Sequence, residues 1–357
     1  MHLDISTTTE PLVYTGYLRR KALVLVGSLV FLVVLSFISI GVGSVMLPVE
    51  DVWQTLLYHT SGNAEMIIWN IRLPRVLSAI VCGAGLAAAG VVMQSVLRNP
   101  LSSPYTLGVS QAAAFGAAFA ITSLGAGTLG RMLTDAIVVN NPWLVTVCAF
   151  IASLGATVVI LLVAKYRTTS PEVMILVGVA LAALFTAGTT FLQYFSSAEQ
   201  IAAIVFWTFG DIGRATWNDL VIIVLVVVPC ILYFLLRRWD YNALDSGDEI
   251  AKSLGIHVER VRTIAMFLSS LIAAVVVSFL GIIGFIGLVS PHMVRRVIGD
   301  DQRYLFPVSC VVGGIILLAA DTVARIIIAP AVLPVGVLTA FLGAPLFLYL
   351  LIRGNRS

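Results

Sequence analysis

The chain has 357 residues, of which 59 % are hydrophobic and only 11 % charged, with a net charge of +3 and a mean hydropathy of +1.03. Soluble domains carry about 25 % charged residues. The composition therefore excludes a water-soluble globular protein and predicts an all-α, polytopic integral membrane protein. No basic face suited to nucleic acid exists, and Cys82, Cys148, Cys230 and Cys310 each lie in an apolar run without C-x-x-C spacing.

Arg19, Arg20 and Lys21 close a polar tail (1–21), expected to be loose over 1–18. The apolar run behind it is about 20 residues long and lacks a cleavage pattern, so it reads as a retained first span, 22–42. A polar stretch, 43–71, leads to span two, 76–97. The turn Asn99–Pro104 precedes span three, 105–126. Spans four, five and six follow at 142–164, 173–195 and 217–236, with a short helix expected near 201–209. A charged insert, 244–262, leads to span seven, 262–280. The eighth apolar run, ending near Ile298, has about 14 residues and is short for a crossing. Spans nine and ten lie at 305–325 and 333–352. The whole chain, 1–357, reads as one transmembrane domain. With ten crossings and a cytoplasmic N-terminus, most Lys and Arg fall inside, including Arg98, Lys165, Arg167, Arg237, Arg238, Arg295, Arg353 and Arg356. Arg72, Arg75, Arg131, Arg214 and Arg325 fall outside. This bias satisfies the positive-inside rule and puts both termini and the charged insert in the cytoplasm.

The insert, Asp245–Arg262, carries helix punctuation of its own. Ser246 and Glu249 have capping-box spacing. Ile250, Ala251 and Leu254 share one face, Asp248 and Lys252 are spaced to pair, and Gly255 is placed to end the helix. A second helix is expected from Ile256 into span seven.

Few residues suggest chemistry. Asp321 is the one clear acid within a span, and Arg325, four residues on, can form a structural ion pair with it. The Lys252-Ser253 dipeptide has Ala251 and Ser246 where a Walker A loop needs glycines. An energy source must come from another subunit. No catalytic residue and no metal-ligating constellation emerges from the histidines and cysteines. Arg72 and Arg75 at the outer mouth of span two fit either lipid-phosphate anchoring or an acceptor for carboxylates of a docking partner. Pro291-His292 fits a helix kink.

The ordered set of short stretches resembles a permease of the FecCD family, the membrane subunit of ABC importers for iron–siderophore, haem and cobalamin. The stretches are Arg72-Leu-Pro-Arg75; Gly83–Gly90 with Met93-Gln94; Asn99-Pro-Leu with Leu107–Gln111; Gly247–Ala251 with Leu254-Gly255; Gly284–His292; Asp321 with Ala324-Arg325; and Leu333–Gly336 with Gly343-Ala-Pro345. The resemblance implies the type II ABC importer fold and a prokaryotic plasma (inner) membrane. It implies a second permease subunit as a homodimer partner, two ABC ATPase subunits and an extracytoplasmic solute-binding protein. ATP and Mg would be bound by the ATPase, with no cofactor in this chain. Arg72, Arg75 and Arg325 would meet acidic residues of the binding protein, and Asp248, Glu249, Ile250, Ala251, Leu254 and Gly255 would sit in the ATPase cleft. A ferric siderophore is the first expectation for the cargo, with haem and cobalamin open. A non-transporting receptor subunit and a secondary transporter are the alternatives.

Overall fold

The computed structural model describes residues 10–43, 47–58, 63–126, 141–166, 170–329 and 331–354. Arg131, Arg167 and Arg356, used in the charge count, lie outside them. The described residues form helices and turns only, with one isolated parallel bridge between Phe209 and Ile282. The helices are α1 (Glu10–Gly41), α2 (Val49–Tyr58), α3 (Asn63–Met66), α4 (Leu73–Val96), α5 (Val109–Ser123), α6 (Pro142–Tyr166), α7 (Pro171–Tyr194), α8 (Ala198–Thr208), α9 (Trp217–Leu236), α10 (Arg238–Asp245), α11 (Asp248–Ser253), α12 (Val258–Leu280), α13 (Ile286–Ile298), α14 (Gln302–Ile326) and α15 (Val335–Gly354). Among the described residues seven stretches are long and apolar enough to cross a membrane, and α5 and the apolar part of α15 add two shorter apolar helices. α13, of 13 residues, stands where the short eighth span is expected.

Several boundaries differ from expectation. The stretch from Glu10 belongs to α1 rather than to a loose tail. The polar segment before span two is partly helical, and a π-helical turn, Ile67–Arg72, joins α3 to α4 without a break. Span three shortens to the 15 residues of α5. Its approach, Leu101–Gly108, is irregular yet has Ser102 and Ser103 buried. Non-helical backbone survives at such depth only when protein, not lipid, surrounds it.

α4 is the axis of the bundle. In its spanning window 78 % of residues are buried, against 6 % for α7 and 11 % for α1. α4 packs on α14, α12, α13 and α9. Small residues make this possible, because backbones in lipid associate by close approach. A Cβ on Gly90 would run into the carbonyl of Gly287 on α13, and one on Gly83 into that of Gly313 on α14. Gly90→Val is therefore expected to destabilise the bundle by about 3 kcal/mol, the upper end of overpacking costs. Thermal unfolding in detergent checks this. Gly27→Val, where nothing lies within 4 Å of the new Cβ, is expected to change little.

Candidate functional site

Three polar or irregular features interrupt this apolar bundle. The first lies where α1 and α14 end and α4 begins. Asp321, fully buried on α14, accepts Arg75 Nε at 3.0 Å on both carboxylate oxygens and Arg75 Nη2 at 2.8 Å. Arg325 Nε approaches the same carboxylate at 3.2 Å. Arg75 also reaches Asp211 at 3.7 Å. Arg325 donates to the carbonyls of Ser39 (3.0 Å) and Val42 (2.9 Å), and Arg72 to those of Ile40 and Gly41. These are the orphan carbonyls at the negative end of the α1 dipole, so two guanidiniums cap a helix C-terminus. Arg72, Arg75 and Arg325 are only 5 %, 9 % and 5 % exposed. They stitch α1, α4 and α14 together rather than projecting from the surface.

The second feature is a junction of broken backbone. Asp211 N donates to Leu280 O (2.8 Å), Gly336 N donates to Gly210 O (2.9 Å), and Phe209 bridges Ile282. Three segments leaving α8, α12 and the turn before α15 thus satisfy one another where no regular helix does. Beside them lies a cavity of about 300 Å³ lined by Tyr105, Phe209, Phe285, Val337 and Phe341 among others, none of them charged.

The third feature is the charged insert, at the opposite end of the bundle from Asp321. Its own helix is α11, and α10, which the sequence did not announce, leads into it from the end of α9. α11 ends in a Schellman motif: Gly255 N donates to Lys252 O (2.9 Å), Ile256 N to Ala251 O (3.1 Å), and Gly255 takes φ +81°. The expected capping box is not formed. The N-cap residue is Gly247, no side chain caps the helix, and Ser246 Oγ turns back to Asn242 O. Asp248 does not pair with Lys252. It receives Arg262 Nη2 at 2.9 and 3.0 Å, while Lys252 pairs with Glu249 at 3.1 Å. Arg262, 2 % exposed, also donates to Val96 O at 2.8 Å, tying the insert to the end of α4. The second helix, expected from Ile256, is the start of α12, which begins at Val258 and runs straight into the bundle.

A second tether supports α10. Gln302 Nε2 donates to Asp245 Oδ2 (2.9 Å) and Ser95 Oγ (2.8 Å), and Gln302 N donates to Asn242 Oδ1 (2.8 Å). Burial pushes the Asp245 carboxyl above its usual range, against the hydrogen bonds from Gln302 and Ser95. Asp301 is also raised by burial, but hydrogen bonds from Arg303 and Asn242 outweigh this and hold it at about 2. The tethers divide the expected apolar face. Ala251 is fully buried against the bundle, whereas Ile250 and Leu254 are 51 % and 67 % exposed.

The FecCD transport family profile matches residues 31–353. The chain belongs to the FecCD transport family. It is 51 % identical over 343 residues to a Methanocaldococcus jannaschii protein described as an ABC transporter permease, covering 96 % of this chain and 98 % of that one. It is 36 % identical to the hemin transport system permease of Yersinia pestis, covering 91 % and 94 %. A solved structure described as a metal-chelate type ABC transporter, in an inward-facing conformation, superposes with TM-score 0.80 at 31 % identity, covering 92 % and 98 %. Further relatives are named for Fe(3+)-citrate, molybdate and cobalamin import. The fold is thus that of an ABC permease, a multi-pass inner-membrane protein.

In this FecCD chain the tethers and Asp211 are the polar groups that sequence reasoning missed. Asp245, Gln302, Asn242 and Ser95 lie far apart in sequence, in segments that read as loop or span. The one available signal was that Gln94, Ser95 and Gln302 are polar at the ends of otherwise apolar runs.

Proposed function

We propose that this chain is the membrane-spanning subunit of a binding-protein-dependent importer for a metal chelate, working by alternating access. Two copies would be joined by two ATPases at the α11 end, which faces the cytoplasm. A solute-binding protein would dock at the Asp321 end. ATP and Mg would be held by the ATPases, and this chain would need no metal or cofactor of its own. The observation that carries the reading is α11: a short helix anchored by Arg262–Asp248 and by buried Ala251, offering Ile250 and Leu254 outward. Coupling needs a rigid element that meets its partner differently in two states, and α11 is anchored firmly enough to transmit such a contact. The names of its relatives favour a ferric chelate or a tetrapyrrole as cargo, and a ferric siderophore is the first choice.

The test is reconstitution in liposomes with the ATPase and the binding protein, following uptake of a radiolabelled ferric siderophore and haem. Uptake that requires ATP supports the reading. Uptake without ATP would make the chain a secondary transporter, and ATP turnover without any uptake a sensor.

Docking at the Asp321 end would rest on the potential of the cluster rather than on free side chains. Its three arginines face two carboxylates, Asp321 and Asp211, which leaves one positive charge. Arg72→Gln, which removes that one positive charge, is expected to weaken binding-protein docking several-fold and to flatten its salt dependence, with ATPase assembly intact. Surface plasmon resonance on nanodisc-held permease measures this, and an unchanged affinity removes Arg72 from the docking face.

A further inference from the structure

At the α11 end a cavity of about 780 Å³ opens between the C-terminal end of α4, the α10–α11 junction and the C-terminal half of α13. Gln94, Arg98, Asn242, Asp245, His292 and Arg295 form much of its wall. Gln94 is only 4 % exposed. Its Oε1 accepts Arg295 Nη1 at 3.0 Å, which fixes the orientation of the amide, and its Nε2 is left buried with two protons and no acceptor. Nδ1 of His292, on the same wall, is also buried without a partner. Native proteins rarely leave such groups unsatisfied; the Gln94 amide calls for an acceptor, while Nδ1 of His292 serves either role according to its tautomer.

The charges on the wall say which kind. Arg295 is paired with Asp300 at 2.6 Å and Arg303 with Asp301 at 2.7 Å. Asp245 accepts from the neutral Gln302 and Ser95, and burial pushes its carboxyl above the usual range, toward the uncharged form. Among the described residues Arg98, exposed at the rim, has no ion-pair partner. It occupies the left-handed position (φ +47°) that ends α4, with Arg98 N bonded to Ser95 O and Asn99 N to Gln94 O. An unpaired guanidinium on the same cavity wall as a buried, unsatisfied amide N–H suits a carboxylate.

We propose that this cavity is a socket for a carboxylate side chain of the ATPase subunit. The inference rests on the reading of α11 as the ATPase contact. Two observations favour the ATPase over the cargo as the source of the carboxylate. The socket wall includes Asn242 and Asp245 of α10, which leads directly into the α11 that presents Ile250 and Leu254, so the two surfaces are continuous. The uncharged cavity at the broken-backbone junction shares no lining residue with it. An acid seated here would bridge α4, α10 and α13 and pass ATPase movement to the bundle axis directly, not only through α11.

The experiment measures association of the ATPase with nanodisc-held permease by surface plasmon resonance at low and raised salt. Gln94→Leu and Arg98→Gln are each expected to weaken association about tenfold, and Arg98→Gln to flatten its salt dependence. Arg98→Lys is expected to retain both. Gln94→Glu keeps the shape and the Arg295 contact but repels an incoming acid, and is expected to weaken association as Gln94→Leu does. Unaltered binding-protein docking at the opposite end certifies the fold of each variant. Association within twofold of the parent for both Gln94 variants overturns the socket, since the amide is then satisfied by water. Normal association with impaired uptake overturns it as well and gives the cavity to the cargo. The α11 reading fails separately, if Leu254→Glu retains ATP-driven uptake.

Discussion

Leu254→Glu is expected to abolish ATP-driven uptake in the reconstituted complex while the permease still inserts and remains monodisperse. Leu254 is 67 % exposed at the C-terminal end of α11, so the free subunit loses little by the change; surface substitutions fall within about 0.5 kcal/mol. In a cleft the balance differs. Burying a leucine contributes about 1.5–3 kcal/mol, and a carboxylate in its place would have to be desolvated without a partner. The combined loss exceeds a factor of ten in the population of the coupled contact. A six-residue helix has no stability of its own; α11 holds its shape through the Schellman bonds, Arg262–Asp248 and Ala251. The companion variant Ala251→Glu is therefore expected to destabilise the insert itself and to reduce assembly with the ATPase, not coupling alone. Uptake and ATP turnover measured side by side separate the two effects. Coupled uptake near the parent rate in Leu254→Glu would reduce α11 to a linker.

Asp321→Asn is expected to cost about 3–5 kcal/mol of stability, read as thermal unfolding in detergent. The carboxylate is fully buried and compensates Arg75 and Arg325 at once. Removing one member of a buried ion pair leaves uncompensated charge in a medium that solvates it poorly, which is far more damaging than never having had the pair. The sharper signature is non-additivity. Arg75→Gln with Asp321→Asn is expected to recover part of the loss, because both sides of the bidentate contact become neutral amides. A loss for Asp321→Asn below about 1 kcal/mol, or strict additivity in the double variant, would show that the cluster is not the clasp of α1, α4 and α14.

The cluster shows how far sequence reasoning reaches. Asp321 and Arg325 were legible as a pair because four residues of helix bring them together. Asp321 and Arg75 are separated by 246 positions, and no periodicity links them. Arg72 reads as an outward cation, yet it is buried and its Nη1 donates to the Ile40 and Gly41 carbonyls that end α1. At the insert, local rules succeeded at Gly255 and failed at Ser246. The glycine stop depends only on neighbouring backbone. The capping box is not formed, because the chain enters α11 through Gly247 in an extended, positive-φ conformation (φ +122°) that makes Gly247, not Ser246, the N-cap residue.

By itself the sequence determined that this is a polytopic helical membrane protein, since 59 % hydrophobic residues in runs of spanning length leave no other way to satisfy the backbone. Its ordered motifs determined the family, and its lysines and arginines the expected orientation. Only the tertiary structure decided which helix is the axis, which arginines are spent internally, and which residues of α11 face outward. Those outcomes depend on side chains distant in the chain meeting in space, where one buried carboxylate or one missing Cβ selects the neighbour. Composition and spacing do not encode that selection residue by residue.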